Sequence, residues 1–413
     1  MSMSTALSGL NAASAALNTI SNNLANMNTD GYKSQSTTFA DLFYQVSGNS
    51  GSGNPIETGL GVQVTGTTQN FSDGPVASTG ISSNMALNGS GFFVVQDAAG
   101  AQTYTRNGDF TTNSAGQLIT LGGQTLMGYP AVNGVVSMNS ALQPINVGSG
   151  TTTPAAATSN FALTTNLNAG GAPGDTFQSP ISVIDSLGNS HLLTVNYTMT
   201  APGTWNYQIT VPSSDIQGGT GTTTTVGTGT LNFDSSGQLT STTTSPVAVA
   251  IGPLSDGAAA MNVNWNLTDA NGNSLVTQTA SASSNNAKGQ DGFAAGTLST
   301  YSVLSDGTVE ATFSNGQTEA IGQVAVANFA NPEGLTLDGS NQYSATIASG
   351  AAVVGAGGTG GRGTISGSSV EQSNVDMATQ FSNLIVYQRA YEANAKAITA
   401  FDQMEQATLQ MKS

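Results

Sequence analysis

Apolar positions follow two rhythms along the chain: helical spacing at both ends and strand-like alternation between them. Near the N-terminus Ala6, Leu10, Ala13, Leu17, Ile20, Leu24 and Met27 succeed one another at 4-3-4-3-4-3, the a/d seam of a coiled coil. Toward the C-terminus Met377, Phe381, Leu384, Gln388, Tyr391, Ala395 and Ile398 repeat it, and the seam then shifts through Phe401 and Met404. Each segment is predicted to be a helix with one apolar stripe. Ser and Asn fill most other N-terminal positions and are mediocre helix formers, so that helix is predicted to need a partner. The run "NTDGYK" is read as its end, with Gly31 taking the positive-φ conformation that stops a helix. Ser373 or Asn374 is placed at the cap of the second helix, with Asp376 near the positive end of its dipole.

Between the helices, residues 91–127 alternate around "DAAG", "RNGD", "NSAG" and "LGG", and residues 305–344 continue the style. These are hairpin signals. Residues 150–285 form a Thr-rich block with strands of its own, including "ISVIDSLGNSHLLTVNYTM" and "TWNYQITV". The block reads as a second β domain inserted into the first. The predicted fold is mainly β with terminal α: nested β domains plus a coiled coil of N- and C-terminal helices. Its parts are a helical domain (1–30 and 370–413), extended connectors (31–74 and 355–369), a β domain (75–150 and 286–354) and an inserted β domain (151–285). Gly/Ser-rich stretches at 47–54 and 355–367 read as loose connectors.

Charge is sparse. Asp, Glu, Lys and Arg make up 7% of the 413 residues, against about 25% in ordinary globular proteins. The net charge is −16, and the seven basic residues, Lys33, Arg106, Lys288, Arg362, Arg389, Lys396 and Lys412, form no cluster. Nothing there neutralises phosphates, so no nucleic-acid partner is expected. No stretch reaches the ~18 consecutive apolar residues of a membrane helix, so no membrane insertion is expected. The first twenty residues lack a basic region and an unbroken apolar run. Export, if it occurs, is expected to proceed without a cleaved signal peptide.

Candidate chemistry is thin. Without cysteine there is no thiolate ligand or nucleophile. The single His191, at a strand start after a Gly-Asn turn, excludes a histidine metal cluster or a histidine pair for acid–base work, and a surface or half-buried structural role is expected. "DANGNS" at 269–274 begins like a calcium loop, but its Gly is misplaced and Ala280 stands at position twelve, so it reads as a turn. "GTGTTTTVGTG" from Gly219 lacks the lysine of a phosphate-binding loop. Trp205 and Trp265 read as core. No catalytic, cofactor-binding or metal-binding residue is assigned, no cofactor is expected, and an enzyme is not expected.

The ends carry a resemblance. Residues 8–43, with Ala25, Asn26, Thr29, Gly31, Tyr32 and Lys33, resemble the N-terminal region of the flagellar rod and hook proteins. Residues 371–404, with Ser373-Asn374-Val375-Asp376 and Gln388-Arg389-Ala390-Tyr391, are similar to that family's C-terminal region. "NGSGFFVV", "YTRNGDFTTNSAGQLITLGGQTLMGY" and "IGQVAVANFANPEGL" are similar to segments shared within it. The inserted block, absent from the shorter rod-type members, points to the hook type. The resemblance implies a structural subunit that assembles with copies of itself into a helical tube, curved and flexible, coupling motor to filament. It implies an assembly interface of Leu10, Leu17, Ile20, Leu24, Met27, Phe381, Leu384, Tyr391 and Ile398, and motif residues Asn26, Gly31, Tyr32, Lys33, Asn374, Gln388 and Arg389. Implied partners are the distal rod, hook-cap and hook–filament junction proteins and the flagellar type III export apparatus; the implied location is the hook and basal body, outside the cell. Two alternatives stand beside it: a distal rod protein of the same family, and a secreted β-rich adhesin.

Overall fold

The computed structural model describes residues 3–49, 55–148, 150–240 and 245–411. Residues 50–54 of the expected connector 47–54, and Lys412, lie outside the described residues. The chain divides into two compact units. Unit 1 lies within Met1–Ser149, Thr300–Thr312 and Thr318–Ser413, and unit 2 within Gly150–Ser299 and Phe313–Gln317.

Helix formation at the ends follows the apolar rhythm. Helix α1 spans Met3–Ala25 and α2 spans Met377–Met411, so α2 is a rod roughly 50 Å long at 1.5 Å per residue. The cap of α2 is Asp376, whose Oδ1 accepts from the Thr379 N–H at 2.8 Å. That bond holds the Asp376 carboxyl below its ordinary value. Asn374, expected as a cap, is used elsewhere. Helix α1 stops at Ala25, well before Gly31; Asn26 Nδ2 donates to the Asn22 carbonyl as the last turn opens.

In unit 1, Gln35–Asp41 pairs antiparallel with Val62–Gln69, and Tyr44–Asn49 with Pro55–Gly59. A larger sheet runs through Thr308–Phe313, Thr318–Val324, Thr125–Val132, Phe92–Gln96, Gln102–Thr105, Gln342–Ser344 and Thr336–Gly339. Its central strand, Phe92–Gln96, is apolar on both faces because both are covered. Phe93 and Val95 point into one core with Met85, Phe110 and Leu126. Phe92 and Val94 point into another with Tyr104, Phe329 and Tyr343. A period of two cannot expose either side in such a strand. Phe92 meets Phe71, Phe329 and Tyr343 edge-on, with centroids 5.4–5.8 Å apart.

Unit 2 is a sandwich. Thr176–Ile184, Ser190–Ala201, Thr204–Pro212 and Thr223–Asn232 form an antiparallel meander. Facing it is a mixed sheet of Val247–Ile251, Met261–Asn266, Asn160–Asn168, Val276–Thr279 and Ser284–Gln290. One core fills the space between them, and both tryptophans sit in it as the sequence reading expected: Trp265 is stacked on Phe161 and edge-on to Tyr207. Alternation along the strands is clean, with Leu193, Val195, Tyr197 and Met199 inward from one strand and Trp205, Tyr207, Ile209 and Val211 from the next.

One turn recurs in both units. Asp97, Asn113, Asp185, Asp234 and Asp269 each accept, at their Oδ1, the N–H groups two and four residues on. The glycine at the fourth position takes φ between 78° and 90°, a region only glycine enters freely. The calcium-like "DANGNS" is such a turn.

Candidate assembly site

The helices α1 and α2 run antiparallel: Gly9 lies against Asn394, while Asn23 reaches Gln380. The face of α1 that closes on α2 is built from small residues. Ala6, Ala13, Ala16, Ile20 and Asn23 are buried, and Gly9 falls on the same stripe. A Cβ on Gly9 would stand 2.9 Å from the Asn394 side-chain amide, so that side chain rests directly on the Gly9 backbone. Ala6, Ala13 and Ile20 of the expected seam are on this face, while Gly9, Ala16 and Asn23 stand there one position before the expected Leu10, Leu17 and Leu24. Of the expected α1 interface residues, Ile20 is buried, whereas Leu10, Leu17, Leu24 and Met27 are half-buried along the flank. Within one chain small residues make the α1–α2 contact, and the larger Leu10, Leu17, Leu24 and Met27 keep part of their surface outside it.

Helix α2 departs further. None of its residues is buried. Leu384 and Ile398 are half-buried, but Phe381 is 50% and Tyr391 39% exposed. Ile385 and Val386, which the a/d reading passes over, are 51% and 59% exposed. Inward contacts come instead from Gln380 and from Tyr387, whose ring lies 6.3 Å from that of Phe39. Gln388 and Arg389 are exposed on α2. A gap of about 100 Å³ remains between α1, the strand Gln35–Asp41 and α2.

At the opposite end from the Gly9 contact, the pair is joined to the β body by polar groups. Asn23, buried in α1, accepts at Oδ1 from the Tyr32 hydroxyl and the Gln35 N–H, and donates through Nδ2 to the Gln35 carbonyl and to Gln380. Gly31 has φ 69°, and a Cβ there would fall 2.5 Å from the Asn107 backbone nitrogen; its N–H donates to the Glu371 carbonyl at 2.7 Å. The glycine is needed for this close approach, not as a helix stop. Asn374 accepts from the Ser34 N–H and donates to the Asn70 and Ser72 carbonyls.

The centre of this region is a buried ionic knot. Glu371 Oε1 receives Lys33 Nζ at 2.6 Å, the Gly74 N–H at 2.8 Å and Arg106 Nη2 at 3.3 Å. Arg106 Nε approaches Oε2 to 3.1 Å as an ion pair outside hydrogen-bonding angles. Arg106 also donates to the Gly89 and Gly91 carbonyls and to Asp73. The side chains of Lys33, Arg106 and Glu371 are 1%, 2% and 0% exposed. Burial pushes the Lys33 ammonium below its ordinary value, Arg106 adds to the push, and Glu371 opposes it. Lys33 was expected from the motif; its partners Glu371, Arg106 and Asp73 were missed, although two of them lie inside quoted motif segments. Their charge in a chain so poor in charge was the available signal.

Among the described residues, the one group in either unit with the make-up of an ion-binding cluster is Asp185, His191 and Asp256 in unit 2. Both imidazole nitrogens already lie within hydrogen-bond distance of carboxylates, so the group is a histidine held between acids. His191, expected in a surface or half-buried structural role, is buried. No helix among the described residues is long and apolar enough to cross a membrane.

Both ends of the chain match flagellar families: "Flagella basal body rod protein" at residues 3–33 and "Flagellar basal body rod FlgEFG protein C-terminal" at 366–411. Paired terminal helices knotted to a β body through these motifs define a flagellar axial protein. Between them, "Flagellar hook protein FlgE/F/G D1 domain" matches residues 86–160 and "Flagellar basal body protein FlaE D2 domain" residues 165–293. Flagellar hook protein FlgE of Escherichia coli K12 is 35% identical over 98% of each chain, and that of Salmonella typhimurium LT2 likewise. FlgE of Rhizobium meliloti is 31% identical over 99% of this chain and 98% of its own. The crystal structure of Helicobacter pylori flagellar hook protein FlgE2 shares the fold at a TM-score of 0.50 and 14% identity, covering 72% of this chain and 100% of that one. The chain belongs to the flagellar hook protein family FlgE, and it is a structural subunit of the hook. The shorter rod-type and adhesin readings give way to these near full-length matches. Membership carries polymerisation into the hook, association with rod and filament, and a place in the hook and basal body.

Proposed function

We propose that α1 and α2 line the inner wall of the hook tube, that the β body of unit 1 forms its middle shell, and that unit 2 forms the outer shell. The observation that carries this is the state of α2. Over 35 residues it buries no side chain, yet it displays Phe381, Ile385, Val386 and Tyr391. A helix so long and so little covered gains its burial from neighbouring copies, a heterologous contact that propagates as a filament. Gln388 and Arg389, exposed beside those side chains, belong to the same contact.

The Asn/Ser-rich α1 and the uncovered α2 suit passage through the type III export apparatus without a cleaved signal, since marginal helices unfold readily. Once outside, the subunit meets the distal rod, hook-cap and hook–filament junction proteins at the two ends of the tube. Sparse charge lets the shells slide without locking into salt bridges as the curved tube turns.

The test is removal of residues 377–413. The shortened chain stays a soluble monomer, and cells carrying it show basal bodies without hooks by electron microscopy. Tubes built by the shortened chain refute the proposal.

A further inference from the structure

Unit 2 holds a histidine enclosed by carboxylates. His191, at the start of the strand Ser190–Ala201, is the one histidine of the chain. Its Nε2 lies 3.1 Å from Asp185 Oδ2 and 3.5 Å from Asp256 Oδ2, and its Nδ1 lies 3.1 Å from Asp215 Oδ2. The three acids come from three places: the hairpin turn beginning at Asp185, the single turn Ser213–Asp215, and the loop that follows Val247–Ile251. Asp185 is buried and fixed by the Leu187 and Asn189 N–H groups. Asp256 also accepts from Asn189 Nδ2 at 2.9 Å.

A neutral imidazole has one N–H donor, whereas ionised carboxylates only accept. Carboxylates on both nitrogens are satisfied together only by the imidazolium. Loss of its proton turns one contact into a lone pair facing a negative oxygen and leaves three acids without a cation between them. The groups facing the ring are those three acids, and among the described residues no lysine or arginine pairs with any of them.

We propose that His191 is a proton-operated clasp that pins the turn at Asp185 to the loops bearing Asp215 and Asp256, closed when the imidazole is charged and loosened when it is neutral. The loops themselves are joined by backbone bonds, Gln217 N–H to the Pro253 carbonyl at 2.8 Å and Ser255 N–H to the Asp215 carbonyl at 2.9 Å. Those amides report on it. The inference rests on unit 2 alone.

A single histidine makes the experiment direct. In full-length protein with EDTA present, the His191 ring proton resonance is followed against pH, and protection of the Gln217 and Ser255 amides is measured by hydrogen exchange. The resonance is expected to titrate above 6.5, the ordinary histidine value, and Asp256→Asn and Asp215→Asn are each expected to lower the midpoint. Above the midpoint both amides lose about tenfold in protection factor, the scale of one charge-assisted hydrogen bond; in His191→Gln that step is gone. A midpoint at or below 6.5, a midpoint unmoved by either Asp variant, or the same step in His191→Gln overturns the clasp.

Discussion

Replacing Glu371 with glutamine removes one negative charge and keeps the side chain's shape. It leaves Lys33 and Arg106, 1% and 2% exposed, with Asp73, itself 46% exposed, as the acid nearest to hand. Removing one member of a buried pair costs about 3–5 kcal/mol, because the remaining charge stays buried without compensation. Asp73 retains its 2.6 Å contact with Arg106, which favours the lower end, about 3 kcal/mol. At about 2–4 °C per kcal/mol for domains of this size, the melting temperature falls by about 6–12 °C. Circular dichroism on the purified monomer reads this, with Glu333→Gln, an exposed glutamate, as a control that moves by less than about 0.5 kcal/mol. A double variant with Lys33→Met separates the knot from general burial. Once Lys33 is gone, losing the charge of Glu371 strands one cation instead of two, so the two costs fall short of additivity by about 0.5–3 kcal/mol. An E371Q protein within about 1 kcal/mol of the wild type, or strictly additive variants, would refute the view that this acid holds the termini to the β body.

Three further outcomes follow from the same geometry. Gly31→Ala forces a side chain into φ 69° and against the Asn107 backbone at 2.5 Å; the conformational part alone costs roughly 1–2 kcal/mol, and thermal melting shows a loss at least that large. Gly9→Val drives a branched side chain into Asn394, 2.9 Å from the Cβ position, so hook polymers seen by electron microscopy become scarce while melting of the β body is unchanged. In unit 2, burial opposes the His191 imidazolium, but the hydrogen bonds it donates to Asp185 and Asp215 outweigh burial and raise its pKa. That contribution is present below the ordinary 6.5 and is lost as pH rises through the raised value. Burial likewise acts against ionised Asp185, yet its bonds to His191 and backbone N–H groups bring its pKa down to about 2, so its contribution is present above the ordinary 3.8 and lost as pH falls through about 2. Hydrogen exchange across unit 2 is expected to be slowest, after correction for intrinsic rates, between those limits.

Much of the fold was legible because it is written in local patterns. The terminal rhythm announced α1 and α2, and the D-x-x-G turns announced hairpins whose carboxylates do what the spacing implies. What stayed hidden depends on residues that meet across the sequence. Lys33 and Glu371 are 338 positions apart, and no window of sequence couples them. His191 was expected in a surface or half-buried role since the loops that bury it with Asp215 and Asp256 arrive later in the chain. Half of the α1 face, Ala6, Ala13 and Ile20, lay on the expected seam; the other half falls one position earlier than the leucines of the heptad count, because Gly9 and Ala16 leave room for the partner where Leu10 and Leu17 would not.

The terminal pair is therefore held unequally along its length. At the Asn23–Gln380 end it is tied by directional polar bonds and by a buried ionic cluster, interactions that specify one geometry more than they add net stability. Toward the other end the ties give way to exposed apolar side chains: Met3 and Leu7 on α1, and Met404, Leu409 and Met411 on α2, all about half exposed or more. Covering each such side chain by a neighbour is worth about 1–2 kcal/mol, since part of its surface is already buried, and a single chain leaves that gain unrealised. Polar bonds set the direction in which the two helices leave the β body, and apolar surface waits further along them. If the proposed inner-wall placement of α1 and α2 holds, a subunit arranged this way presents that apolar stripe in a fixed orientation before any second copy arrives, so that addition to a growing tube needs docking and not a search for the right pairing of termini.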